Sequence, residues 1–277
     1  MGVMITNGLW SDYASMAVRT GGPGPSGLSM LVVPLLNTPG VRMRRIKVGG
    51  QTSAGTTFIE LDDVKVPISN LIGKEGMGMI YVMQNFNHER LSISIGVNRL
   101  SRVALSSAFE YVMKREAFGK TLMEQPVVRH RLAKCGAELE AHWAWIEQFT
   151  YMMTKLSEEE ANRELGGLTA LAKAQAGKVL EVCASTAVLL FGGNGYTKSG
   201  QGEIAESKFE AQSRFLGSIK CMLTNIGIYR EVPGARIPGG SEDVMLDLAI
   251  RQLVKNFQRK TKELETIQER PKGSSKL

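Results

Sequence analysis

The feature that most constrains this chain is a change of hydrophobic period at Gly73–Gly78. Before it, Thr56-Thr57-Phe58-Ile59-Glu60-Leu61 alternates with period two, as a half-buried strand does. Leu28–Leu36 is an apolar, β-rich run that follows the turn cluster Gly21-Gly22-Pro23-Gly24-Pro25, and Asp62–Pro67 closes the segment. Beyond Gly78 the period is helical, with Met79, Ile80, Met83 and Phe86 on one stripe. Long helices are predicted near 77–114, 123–155 and 158–190, with a fourth from about 241 to 265, in the proportions of an antiparallel bundle. Their Met and aromatic positions read as core rather than cofactor contacts. The expected fold class is α+β: a partial β-barrel or sandwich over 1–74, a helical bundle over 75–265, and a flexible polar tail over 266–277.

Composition narrows the function classes. The hydrophobic fraction of 43% and charged fraction of 22% are ordinary for a globular chain, and no run of eighteen apolar residues predicts a membrane span. No signal-peptide pattern follows Met1-Gly2-Val3-Met4-Ile5, and Asn7 and Gly8 do not supply the hydroxyl of a myristoylation motif. Cys135, Cys183 and Cys221 lack metal-ligand spacing, so no metal site is expected and they read as reduced core thiols of an intracellular protein. The net charge is +7, but Arg251–Leu277 holds eight Lys/Arg against three Glu, which leaves +2 for everything before it. A charge concentrated in a tail is poor support for nucleic-acid binding.

Two motifs, REAFGK at Arg115–Lys120 and FGGNGY at Phe191–Tyr196, are separated by about seventy mostly helical residues. In this order and spacing they resemble the C-terminal half of the acyl-CoA dehydrogenase family. The resemblance covers nearly the whole chain. It takes in Met4-Ile5-Thr6-Asn7-Gly8 (the family's flavin-contacting strand), Val48-Gly49-Gly50, Asp63–Pro67, and Gly73–Gly78 at the entry to the helical domain. It begins inside the family's middle domain, so the N-terminal helical domain, which supplies a wall of the acyl pocket, has no counterpart.

The resemblance implies FAD, an acyl-CoA substrate and a homo-oligomer, dimer or tetramer. Thr6 falls where a family hydroxyl reaches the flavin edge, with Met4 in place of the usual Trp. Arg115 stands where a guanidinium grips the FAD diphosphate, which Arg can do in a bidentate way. Phe118 would pack on the cofactor, and Gly192, Gly193 and Gly195 would turn backbone N–H groups toward the adenosine or phosphate of a neighbouring subunit. Ser241 and Asp243 fall at FAD-contacting positions before the last helix. Two family glutamines do not match: Gln125 is one place early, with Pro126 on the usual site, and Leu189 occupies the second.

The family's chemistry needs a base for the acyl α-proton, and a weak carbon acid demands a positioned, buried one. One family position for it lies in the loop before the last helix, where this chain has Gly239. The other is on the first long helix, where Asn87-His88-Glu89-Arg90-Leu91 supplies Glu89 as the candidate base. Arg90 resembles a residue that braces the base or approaches CoA, and Asn87 a CoA contact; His88 is read as packing or surface. The competing reading makes Glu89 a solvated carboxylate paired to a nearby Lys or Arg.

Ser207–Gly227 has no family counterpart, and reads equally as an extra amphipathic helix or as translated intron. The end, Ser275-Lys276-Leu277, matches the peroxisomal import signal and implies an import receptor as partner. The resulting expectation is FAD-dependent α,β-dehydrogenation of an acyl-CoA in a peroxisome, in fatty-acid breakdown or in tailoring a fatty-acyl-like secondary metabolite. The alternatives are a catalytically incomplete remnant or partner subunit, and a DNA-associated relative of the family.

Overall fold

The computed structural model describes residues 2–50, 54–197 and 225–269. The segment 207–224, Cys221 and the Ser-Lys-Leu end lie outside them.

Strands β1 (Gly2–Ile5), β2 (Tyr13–Arg19), β3 (Leu28–Pro34), β4 (Val41–Arg45), β5 (Thr57–Leu61) and β6 (Leu71–Ile72) form two three-stranded sheets, ordered β1-β5-β4 and β2-β3-β6. All pairs are antiparallel. Alternation along β2 and β5 turns one side of each sheet inward, where Met16, Leu31 and Val33 of one sheet meet Met43, Ile59 and Leu61 of the other. This is a small sandwich with β1 at an edge.

Among the described residues five α-helices follow: α1 (Gly78–Lys114), α2 (Pro126–Lys155), α3 (Glu158–Phe191), α4 (Asn225–Arg236) and α5 (Glu242–Glu269). Ser157 caps α3 with a reciprocal Glu160 contact, so α2 and α3 turn back on each other through two residues. Their contacts run antiparallel, from Cys135 against Thr186 to His142 against Ala172. Helix α3 is central and packs on α1, α2, α4 and α5. It is apolar and long enough to cross a bilayer by composition alone, but four helices cover it, and that explains its composition.

Three findings differ from or add to the sequence reading. Helix α4 was not foreseen because Pro233, inside it, argues against a helix; its Ile228, Val232 and Ala235 nonetheless bury one face against the α1–α3 core. Arg115–Thr121 is a tight hairpin, β7 (Glu116–Ala117) and β8 (Lys120–Thr121), with Phe118 and Gly119 at positive φ in its tip. The stripe Met79, Ile80 and Met83 is not core: it lines an open cavity. Cys135 and Cys183 are buried free thiols, in keeping with their reading.

Candidate active site

Helix α1 carries the chemistry-bearing segment on its inner face. Arg90 is 3% exposed. Its Nε donates to the Gly239 carbonyl at 3.2 Å, and its guanidinium lies over the Phe86 ring. Burial lowers its pKa, and the charge of Glu89 opposes that fall. Glu89 itself is half-buried, and among the described residues its carboxylate has no hydrogen bond or ion pair. The local pairing that would make it an ordinary helix carboxylate is therefore absent there. Asn87 is buried and donates from Nδ2 to Asn162 Oδ1 at 3.1 Å, which ties α1 to α3.

Asn87 and Arg90 also border a cavity of about 650 Å³ between α1, α3 and α5. Its wall combines Met79, Ile80, Met83 and Leu248 with the amides of Gln84, Asn87, Asn162 and Gln252, and with Glu158 and Glu159 at the start of α3. An apolar strip beside a row of amides suits a chain that is itself part alkyl and part amide.

The loop between α4 and α5 forms the other side of the Arg90 region. Gly239 has φ +70, and a Cβ there would lie 3.1 Å from Ile93 Cδ1 and 3.4 Å from Arg90 Cγ. The two family positions for the base thus face each other: residue 239 packs on the helix turn that carries Glu89 and Arg90. Ser241 and Asp243 open α5 just beyond this loop, both exposed. A residue the sequence reading missed holds the loop from below. Lys173, 2% exposed on α3, donates from Nζ to the carbonyls of Arg236 and Gly240. Its signal was a Lys between the small apolar residues Ala172 and Ala174, within the largely apolar stretch Leu168–Ala176.

The second motif-bearing corner is at the far end of α1. Arg115 is exposed, and its guanidinium has no partner among the described residues. Phe118 at the hairpin tip is 97% exposed. Asn194 of the Gly-rich turn donates to the Tyr111 hydroxyl at 3.3 Å, and Tyr111 stacks on Phe191, so the two motifs are stapled into one corner. Among the described residues a Cβ on Gly192 or Gly193 would meet nothing within 4 Å, whereas one on Gly195 would strike the Val188 carbonyl oxygen at 2.3 Å. Thr6 is exposed at the end of edge strand β1, beside Met4, which is 71% exposed.

These residues fit FAD: a guanidinium without a partner among the described residues and an exposed aromatic next to the Gly-Gly turn suit a diphosphate and adenosine, and an exposed hydroxyl just past β1 suits the flavin end. The fold does not bring Thr6 and Arg115 together. Thr6 belongs to the sandwich, while Arg115 follows the last turn of α1.

A β-sandwich feeding a bundle with these two corners on one long helix has the architecture of the C-terminal part of an acyl-CoA dehydrogenase. Residues 76–254 match the family described as acyl-CoA dehydrogenase, C-terminal domain, and the chain belongs to the acyl-CoA dehydrogenase family. It is 64% identical over 260 residues to acyl-CoA dehydrogenase apdG of Emericella nidulans, covering 94% of this chain and 55% of that protein. Acyl-CoA dehydrogenase AFT10-1 of Alternaria alternata is 32% identical, over 92% of this chain and 55% of its own length. Among solved structures, a probable acyl-CoA dehydrogenase from Mycobacterium abscessus superposes with a TM-score of 0.76 at 27% identity, covering 91% of this chain and 60% of that one. The chain spans about half the length of the curated relatives it matches.

Proposed function

We propose that this chain carries the base and half of the cofactor contacts for α,β-dehydrogenation of an acyl-CoA thioester, giving a trans-2-enoyl-CoA. The observation that carries the reading is Glu89: a half-buried carboxylate without a hydrogen-bond partner among the described residues, beside a buried arginine locked to the loop opposite. A base must keep its lone pairs free for the substrate proton, and Arg90 fixes the helix turn that aims it. FAD, when bound, supplies the acceptor for the β-hydride. Glu89 takes the α-proton, and the Met79–Met83 strip with its neighbouring amides holds the acyl-pantetheine arm. Thr6 would hold the flavin edge, and Arg115, Phe118, Gly192 and Gly193 the diphosphate and adenosine.

One chain cannot give both sets to a single FAD beside Glu89. From residue 89 to residue 115, at about 1.5 Å per helical residue, is on the order of 39 Å, longer than the extended cofactor. Arg115 therefore serves the FAD of a second copy, so the active form is a homo-oligomer. The Ser275-Lys276-Leu277 end addresses the protein to peroxisomes. There it acts on a fatty-acyl chain or, in keeping with its similarity to two fungal acyl-CoA dehydrogenases, on a fatty-acyl-like intermediate of a secondary metabolite.

A second reading, a subunit completed by another chain, is favoured by the exposed apolar edge at Met4 and Ile5 and by the open cavity. The absorbance spectrum of the purified chain, reconstituted with FAD and mixed with butyryl-, octanoyl- and palmitoyl-CoA, separates the two. Flavin that bleaches in wild type and not in Glu89→Gln supports the enzyme. A chain that retains no flavin sinks it as a self-sufficient dehydrogenase.

A further inference from the structure

Lys173 is the largest side chain among those the fold buries completely. Burying an ammonium is costly unless it is satisfied, and here the acceptors come from one place. Nζ bonds the Arg236 carbonyl, at the C-terminal end of α4, and the Gly240 carbonyl four residues on. A cation there also complements the carbonyl end of a helix. The same face of α3 continues at Gly177 and Glu181, one and two turns on. A Cβ on Gly177 would lie 2.7 Å from Arg236 Cγ, so the glycine makes room for Arg236 to lie across the helix. Arg236 then makes a bidentate pair with Glu242 and bonds Glu181 at 2.6 Å. From the opposite side Arg90 bonds the Gly239 carbonyl. Among the described residues the side-chain ties on the 236–240 segment thus lead to α3, to the start of α5, or to the arginine next to Glu89.

We propose that Lys173 is a positioning residue for the proton abstraction at Glu89, acting through the 236–240 loop and its Gly239–Arg90 bond. The inference rests on the dehydrogenase reading and assigns this buried lysine a part in it. Lys173 touches neither substrate nor cofactor; it sets the height of the loop on which Arg90 rests, and hence the register of the α1 turn that presents Glu89. Sequence spacing could not show this, since 173 and 239 lie far apart in the chain.

Burial lowers the lysine pKa to about 8; Glu242 opposes that fall, while Arg90 and Arg236 add to it. These are the charged groups facing it from α5, α1 and α4, with Glu181 further along its own helix. From α2, His142 bonds the neighbouring Ala172 carbonyl. Loss of the proton removes the charge that binds two carbonyls at once, so the clamp weakens as pH rises through that value.

The test uses the full chain reconstituted with FAD and whichever of butyryl-, octanoyl- and palmitoyl-CoA it turns over. Lys173→Met removes charge and donors at similar length; Lys173→Gln keeps two N–H donors. In Lys173→Met, kcat is expected to fall at least ~10-fold with KM within ~2-fold, because sub-ångström misplacement of a base costs rate rather than binding. Lys173→Gln should recover part of the loss. The wild-type kcat should decline above about pH 8, and Lys173→Met should lack that limb. Should both variants fail to fold, the wild-type pH profile decides: a flat kcat from pH 7 to 9.5 overturns the proposal. Folded variants with wild-type kcat overturn it as well, leaving the dehydrogenase intact. A wild-type chain that binds flavin but never bleaches with any acyl-CoA overturns the dehydrogenase reading, and this inference with it.

Discussion

The Gly-rich turn at 192–195 offers a test in which stability and ligand binding should separate residue by residue. A methyl group on Gly195 would sit 2.3 Å from the Val188 carbonyl oxygen, 3.0 Å from its carbon and 3.1 Å from Phe191 Cβ. These are backbone and near-backbone atoms of the last turn of α3, so relief requires the turn to move. Overpacking of this kind costs roughly 1–3 kcal/mol. At about 2 °C per kcal/mol for a chain of this size, Gly195→Ala should lower Tm by ~2–6 °C. Gly193 is the control. Its added Cβ meets nothing within 4 Å and its φ is ordinary, so Gly193→Ala should unfold within ~0.5 kcal/mol of wild type. Gly192 has open space among the described residues but sits at φ 59 and ψ −135, a region that residues with a Cβ avoid, so Gly192→Ala should cost on the order of 1–3 kcal/mol, well above Gly193→Ala. Thermal and urea unfolding should separate Gly193→Ala from the other two variants, and FAD titration of the same samples gives the second axis. If the open face of the turn meets a phosphate or adenosine, Gly193→Ala should weaken FAD without weakening the fold. A Gly195→Ala protein with the wild-type midpoint would refute the packing argument. A destabilised Gly193→Ala would refute the claim that its surface faces outward.

Other expectations follow from the buried polar groups and the two corners. His142 accepts from Asn98 Nδ2 at 3.0 Å on Nδ1 and donates from Nε2 to the Ala172 carbonyl at 3.0 Å, and burial lowers its pKa below 6.5. The folded state resists the proton that the unfolded chain takes up. Stability is therefore full above about pH 6.5 and declines as pH falls below it, and His142→Gln should flatten that part of the urea-midpoint profile. Arg236→Met breaks the bidentate pair with Glu242 and strands its carboxylate, costing ~1–3 kcal/mol in chemical denaturation. Mixed in equal amounts and refolded together, Glu89→Gln and Arg115→Ala chains should regain about a quarter of wild-type flavin reduction if sites form between two copies; no recovery argues for sites within one chain. Removing Ser275–Leu277 should leave a fluorescently tagged protein in the cytosol, and unchanged peroxisomal import would exclude the address.

Period and spacing made the long elements legible. Helices were expected near 77–114, 123–155 and 158–190, and α1, α2 and α3 begin and end within a few residues of those bounds, because each repeats its apolar face for eight or more turns. Shorter elements depend on neighbours rather than on their own pattern. Helix α4 tolerates Pro233 near its C-terminal end because α1 and α3 bury Ile228 and Val232. The hairpin at 115–121 needs Phe118 in a left-handed conformation that nothing in REAFGK signals. An apolar stripe tells which face of a helix avoids water, but not what covers it. Met79, Ile80 and Met83 were read as core for that reason, and they border a cavity instead. The candidate base was visible only through resemblance. Lys173 was visible as an oddity in an apolar helix, but its partners lie more than sixty residues away.

The geometry around Gly239 gives a physical reason why a carboxylate at 89 and a glycine at 239 go together. Residue 239 sits at φ +70, with Ile93 and Arg90 within van der Waals reach of any Cβ. A side chain there would carry backbone strain and would crowd the turn that presents Glu89. Its carbonyl is already committed to Arg90, and Lys173 lies just beneath. Two buried cations reach this short loop, and Glu89 beside Arg90 and Glu242 near Lys173 offset their charge. A second carboxylate from the loop would compete with Glu89 for Arg90, and the pair would tend to share one proton, which would blunt the base. With glycine at 239, the loop contributes carbonyls alone. Arg90 is then held by the loop backbone rather than by a rival acid, and Glu89 has no hydrogen-bond or ion-pair partner among the described residues. The glycine at 239 and a Glu89 without a hydrogen-bond partner among the described residues are thus two aspects of one arrangement, and the proposed Lys173 clamp under the loop would keep them in register.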